Sequence, residues 1–360
     1  MTNPIDHDAV RRDCSVEPNR NRRQFLRNTA GASLGFAGSM FLGACGGDGS
    51  SAVAQTGDDA PAGPSDAQIL NFALNLEYLE AEFYLAAIGS SLQGRGIGVD
   101  GAGTPGAVNG GRAVSFTTPS IRQYALEIAA DETAHVKFLR AAIDGAGAQP
   151  VARPALDISA MGVFSAIAQA AGVIGPGEMF DPNANETNFM LAAYVFEDVG
   201  VTAYKGASPL ISNKVFLEAA AGILAAEAYH AGLVRTVLYA IGLDVAGIHD
   251  ITLKISDLRD LVGGVDNGVI PGSIDQGADR DQGVVAVNAD GSIKIADDGT
   301  TPVGNIVPLD VNGKAFSRSA SDVLNIVYAT AEQVQMGGFF PQGVNGAINT
   351  SSDNAGPPPA

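Results

Sequence analysis

Apolar residues recur at helical spacing from Ala67 to Ile88, at Ile69, Leu70, Phe72, Ala73, Leu76, Leu79 and Phe83, with Ser65-Asp66 ahead of them as an N-cap and Gly89 behind them as a stop. A second helix is expected from Pro119, a residue suited to a first turn, through Ile121, Leu126, Ala129, Val136 and Leu139 to the stop Gly145-Ala146-Gly147. A third should run from about Glu186 to Gly206, and a fourth from about Asn213 to Ile241, ending at Gly242. Between the first two, residues 89–116 are Gly-rich without sustained period and read as a long loop. Between the second and third lies a crossover of about forty residues, in which Ile158 to Ala171 suggests a short helix before the turn Gly175-Pro176-Gly177. Two helices, a long connection and two more helices predict an all-α core, a four-helix bundle with one long crossover over residues 65–243.

Beyond Asp244 the pattern changes. Residues 262–313 are dense in Gly, Asp, Asn and Val, and the alternating stretches Gly283 to Val287 and Ser292 to Ile295 read as hairpin strands. A last helix is expected over Ala320 to Met336, before a tail rich in Gly, Asn and Pro. Residues 244–360 are thus a covering extension with short strands and one helix, a small separate domain being the alternative.

The N-terminus does not belong to this pattern. Asn21-Arg22-Arg23-Gln24-Phe25-Leu26-Arg27 resembles the twin-arginine export signature, and the apolar run Gly31 to Ala44 behind it is too short for a permanent membrane span. Residues 1–44 therefore read as a signal peptide, and residues 45–64 as a flexible tether. Leu42-Gly43-Ala44-Cys45 resembles the lipobox of bacterial lipoproteins, which would make Cys45 a lipidated first residue; cleavage after Ala52-Val53-Ala54 is the alternative. Either way the expected compartment is the periplasm, with contact to the membrane only through that anchor.

Cys14 and Cys45 are the only cysteines, so the bundle has no thiols for a disulfide, a zinc–cysteine site or an iron–sulfur cluster. Any metal must be held by oxygen and nitrogen. Without residues 1–44, 15 of the 21 basic and 35 of the 39 acidic residues remain, a formal charge of −20. Such a surface repels nucleic acid.

Three histidines lie beyond residue 44, and two stand in the pattern Glu-x-x-His: Glu132-Thr133-Ala134-His135 and Glu227-Ala228-Tyr229-His230. Positions three apart share a helix face, so each motif aims a carboxylate and an imidazole at one point. One such motif alone is more often a surface pair. The first and third helices add a Glu followed seven residues later by a Tyr, Glu77 with Tyr84 and Glu197 with Tyr204. Ala73, Leu74 and Leu76 surround Glu77, and Val195 and Phe196 precede Glu197, so neither carboxylate fits a solvated face. Glu80, one turn from Glu77, is a further candidate, although Glu80 and Glu82 both read as ordinary solvated acids. His249 has no expected role.

The order Glu…Tyr, Glu-x-x-His, crossover, Glu…Tyr, Glu-x-x-His resembles the ferritin-like superfamily. Within it, Leu70 to Tyr84 and the tail motif Gly337-Gly338-Phe339-Phe340-Pro341 are most similar to bacterial ferritin-like and plant desiccation-related proteins. The resemblance implies that Glu132 and Glu227 bridge two Fe or two Mn ions, with Glu77 and His135, and Glu197 and His230, as terminal ligands. Four carboxylates and two imidazoles suit either metal. In bacterioferritin-like sites an Asp before one motif's Glu orients the other motif's His. Asp131 matches that role towards His230, whereas Ala226 stands in the reciprocal place. Tyr84 and Tyr204 are expected either near the metals or bonded to helix carbonyls.

The implied activity is oxidative-stress chemistry on peroxide or oxygen, as a ferroxidase, a peroxidase or a manganese-catalase-like enzyme. With no Cys-x-x-Cys for a rubredoxin-type donor, a peroxidase would need an outside reductant. The alternative function is a stress- or desiccation-protective envelope protein whose metals only brace the bundle. Such bundles often pair, so a homo-oligomer is also expected.

Overall fold

The computed structural model describes residues 63–264 and 279–355. The signal-like segment, Cys45 and most of the tether lie outside the described residues. Helix α1, Asp66–Ala87, opens on a reciprocal cap: the Gln68 amide donates to Ser65 Oγ at 3.3 Å and the Ser65 amide to Gln68 Oε1 at 2.8 Å. It is buried on nearly every side, its acids Glu77, Glu80 and Glu82 included. Helix α2, Pro119–Gly145, is amphipathic and packs along α1.

The second pair repeats this arrangement. Helix α4, Glu186–Ala207, is capped by Asn185 and buried like α1, and α5, Lys214–Asp244, capped by Asn213, packs along it. Contacts of α1 with α4 and of α2 with α5 close the four into a bundle. The fourth helix runs past Gly242 rather than stopping there. A Cβ at 242 would lie 2.2 Å from His249 Cδ2, so this glycine makes room for a ring and does not end a helix. His249 itself sits against Tyr239, with Nε2 2.9 Å from the Tyr239 carbonyl oxygen.

The two long connections are tied to each other. Strand β1, Val108–Gly110, lies in the Gly-rich loop and pairs in parallel with β2, Leu156–Ile158, in the crossover. Gly110 has φ +82°, and a side chain there would lie 2.4 Å from the Ser159 Cα, which explains why no periodicity announced this two-strand contact. The short crossover helix α3 is confined to Ser165–Ala170, after a π turn over Ala160–Phe164.

The region after the bundle holds two helices among its described residues. Besides α7, Ala320–Tyr328, it contains α6, Ile248–Gly263, which the sequence pattern had not indicated. Helix α7 stops well before Met336, because Ala329 turns left-handed at φ +56° and the Asn325 side-chain amide donates to the carbonyls of Thr330 and Ser352, folding the tail back. The expected hairpin strands are single antiparallel bridges, Val287 with Ile293 and Ile295 with Pro302.

This region is joined to the bundle by buried charge and by aromatic rings. Asp198 on α4 accepts from Arg235 Nη1 at 2.7 Å and from Arg259 Nη2 at 2.9 Å, while Arg259 and Arg318 both meet Asp281. Phe339 of the tail lies 4.9 Å from Phe196 and 5.2 Å from Phe164, between centroids. Helix α4 is thereby gripped on both sides of Glu197, one of the residues considered next.

Candidate metal centre

In the middle of the bundle six of the residues singled out in the sequence converge. Glu77 comes from α1, Glu132 and His135 from α2, Glu197 from α4, and Glu227 and His230 from α5. All four glutamates are at most 1 % exposed. Their donor atoms form two groups within 4.8 Å: Glu77, Glu132, His135 and Glu227 in one, and Glu132, Glu197 and His230 in the other. Glu132 is common to both. Its Oε2 is 3.3 Å from His135 Nδ1 and its Oε1 is 3.0 Å from His230 Nδ1. His135 Nδ1 also lies 3.2 Å from Glu77 Oε2 and 3.8 Å from Glu227 Oε1, and His230 Nδ1 lies 3.5 Å from Glu197 Oε2.

The tyrosines cross the bundle. Tyr84 on α1 donates to Glu197 Oε1 on α4, and Tyr204 on α4 donates to Glu77 Oε1 on α1. Each phenol fixes one carboxylate oxygen and leaves the other, Oε2, for the centre. Asp131 Oδ2 stands 3.2 Å from His230 Nε2 and turns the opposite ring nitrogen inward. His135 has no such carboxylate at Nε2 among the described residues; Ala226 stands where one would come from.

A metal fits what is left over. Glu77 Oε2, Glu132 Oε1, Glu197 Oε2, both oxygens of Glu227 and His230 Nδ1 are buried without a hydrogen-bond partner. The Glu132 Oε1 to His230 Nδ1 approach is close, yet not aligned as a hydrogen bond. Six orphaned donors in a shared space are costly without a cation and natural around one. The mixed oxygen and nitrogen set suits Fe or Mn.

Charge in the protein alone is balanced by protons. Burial, reinforced by Glu132, pushes Glu227 and Glu80 well above the ordinary carboxylate value. Burial also lifts Glu77 to about 7 against the pull of His135. Glu132 is held down to about 2, its burial outweighed by the pull of the His135 and His230 rings that face it. Burial disfavours both imidazolium ions, but Glu77 and Glu132 raise His135 to about 11, and Glu132 and Glu197 raise His230 to about 12. Burial, then the facing carboxylates, keep Tyr84 and Tyr204 protonated.

Three residues here escaped or contradicted the sequence expectation. Glu80 and Glu82 are buried, at 6 % and 2 % exposure, and are not solvated acids. Glu82 is paired with the buried Arg153, a partner 71 residues away that no local pattern could reveal. Gly200 has no role in the sequence pattern, although a glycine inside a helix is itself a signal. A Cβ at position 200 would lie 2.3 Å from Glu227 Oε2 and 3.0 Å from its Cδ.

Gly200→Ala is therefore expected to keep the fold, since the obstructing atoms end a flexible side chain and alanine favours the helix by about 1 kcal/mol. It should displace the Glu227 carboxylate and weaken metal binding by about tenfold or more. Isothermal titration with Mn(II), set beside the melting temperature of the metal-free protein, checks both halves.

Paired helices with one long crossover around a shared carboxylate–histidine centre define a ferritin-like protein, and residues 65–240 match the ferritin-like domain family. The chain belongs to that family. Over 305 residues it is 32% identical to the desiccation-related protein PCC13-62 of Craterostigma plantagineum, covering 80% of this chain and 85% of that protein. Over 292 residues it is 27% identical to the ferritin-like catalase Nec2 of Nesocodon mauritianus, covering 79% of this chain and 85% of the relative. No solved structure matches it.

Proposed function

We propose that this chain is an exported di-metal protein that dismutes hydrogen peroxide, with two Fe or two Mn ions held by Glu77, Glu132, His135, Glu197, Glu227 and His230. The observation that carries this is the convergence of buried, unpartnered donor atoms on a space shared by Glu132. A relative named as a ferritin-like catalase supports the choice of reaction. Export by the twin-arginine route, with Cys45 as a lipid anchor in the periplasm, completes the proposal. That route carries folded proteins, so the metals can be loaded beforehand.

In the reaction two peroxide molecules give two of water and one of oxygen: one is oxidised by two electrons and the other reduced by two. A bound pair of Fe or Mn ions supplies a store for those electrons. The chain's residues hold that pair in a water-poor core. Tyr84 and Tyr204 lock Glu197 and Glu77 by their Oε1 atoms, and as protonated donors they add no charge to the site. Asp131 sets the ring of His230.

The second proposal, favoured by the relative named as desiccation-related, is a protective envelope protein in which metal only braces the four helices. Oxygen evolution separates the two. Protein loaded with Mn or Fe should release one oxygen for every two peroxides consumed, faster than the same concentration of free ion. Peroxide loss only with an added reductant would mean a peroxidase, and oxygen uptake with Fe(II) a ferroxidase. A raised melting temperature with no turnover would leave the brace.

A further inference from the structure

The two halves of the bundle repeat one spacing of site residues: Glu77 and Tyr84 on α1 match Glu197 and Tyr204 on α4, each pair seven residues apart. The same correspondence sets Glu80 on α1 against Gly200 on α4, each three residues beyond its glutamate. Here the symmetry fails, and the two departures meet in space. The point where a side chain would begin at Gly200 lies 2.3 Å from Glu227 Oε2 and 3.6 Å from Glu80 Oε1. What the second half lacks, the first half's extra carboxylate approaches.

Glu80 is 6 % exposed and has no hydrogen-bond or ion-pair partner among the described residues. Its neighbour Glu82, also buried, shows what a structural acid looks like in this protein, with Arg153 and the Leu92 amide both donating to it. A buried carboxylate without a basic partner needs a proton or a metal. Position three beyond Glu77 places it on the ligand face of α1.

We propose that Glu80 is a seventh protein ligand of the di-metal centre, occupying the room that Gly200 leaves beside Glu227. This rests on the di-metal proposal above and deepens it. Four carboxylates neutralise two divalent ions, and a fifth adds a surplus negative charge. The trivalent, oxidised pair is thereby favoured over the divalent one, and the midpoint potential falls. Glu80 thus tunes which peroxide half-reaction is easier, beyond helping to hold metal.

The test uses the full chain as wild type, Glu80→Gln and Glu80→Asp, titrated with Mn(II) alone and followed by the electron paramagnetic resonance signal of the free ion. Both variants should weaken binding by about tenfold or more. The melting temperature of the metal-free protein should be unchanged or higher in Glu80→Gln, since a neutral amide replaces a buried acid. Spectroelectrochemistry of the loaded Gln variant should show a higher midpoint potential. Unchanged Mn(II) affinity in Glu80→Gln, or a loss of affinity matched by a loss of metal-free stability in both variants, would overturn the proposal. Wild type that binds Mn(II) but does not turn over peroxide would defeat the catalytic reading alone, because the role of Glu80 is read from affinity and potential.

Discussion

The double change Glu132→Ala and Glu227→Ala is expected to reduce the metal content of the purified protein from about two ions per chain to nearly none. Glu132 is the residue common to both donor groups, with one oxygen toward each histidine. Its loss strips both positions at once. Glu227 brings two oxygens that nothing else satisfies. Loss of a partner outside the ligand set commonly costs 10–100-fold in affinity, so removing two central ligands should exceed about 100-fold. The fold should survive, because the variant also removes two carboxylates crowded against Glu80 and Glu197. Mass spectrometric metal analysis, with circular dichroism as the control for folding, decides the matter. A folded variant that still carries two ions would place the metal elsewhere or show that the remaining four residues suffice.

Why these residues were legible, and others not, follows from the range of the interactions. Glu132 and His135, or Glu227 and His230, are three apart on one helix, and helical periodicity is the pattern a sequence displays most directly. Glu77 and Glu197 betrayed themselves as acids among apolar neighbours. The same reasoning misjudged Glu80 and Glu82, because local spacing does not say how much of a helix is covered. Helix α1 is buried on nearly its whole circumference, so no face was left to solvate them. Arg153, which neutralises Glu82, comes from the crossover. Helix α6 was missed for a related reason: its polar residues Arg259, Thr252 and Ser256 are all buried, with Arg259 matched to Asp198 and Asp281. Charge of that kind looks like surface until its partner is known.

Metal-free and metal-loaded protein should respond to pH in opposite senses. In the metal-free state Glu77 moves from an ordinary 4.5 to about 7, and Glu227 and Glu80 move higher still. A raised pKa in the folded state means that folding takes up protons. That stability is fully present below the unfolded value and is lost as pH rises through the folded one. His135, raised from 6.5 to about 11, acts in the same direction at higher pH. The surface acids with lowered values, such as Asp298 at about 2, have given their contribution before pH 4.5 is reached. From about pH 5 upward, then, the melting temperature of the metal-free protein should fall, by about 2–4 °C for each kcal/mol lost. The loaded protein should gain instead. Each ion must displace protons from His135 or His230 and from the raised carboxylates, so affinity climbs about tenfold per pH unit for every proton released. Bound metal stabilises the fold in proportion to the logarithm of that affinity. Melting curves from pH 5 to 8, with and without excess Mn(II), should diverge with rising pH. Parallel curves would mean that the protons and the metal do not compete for the same six residues.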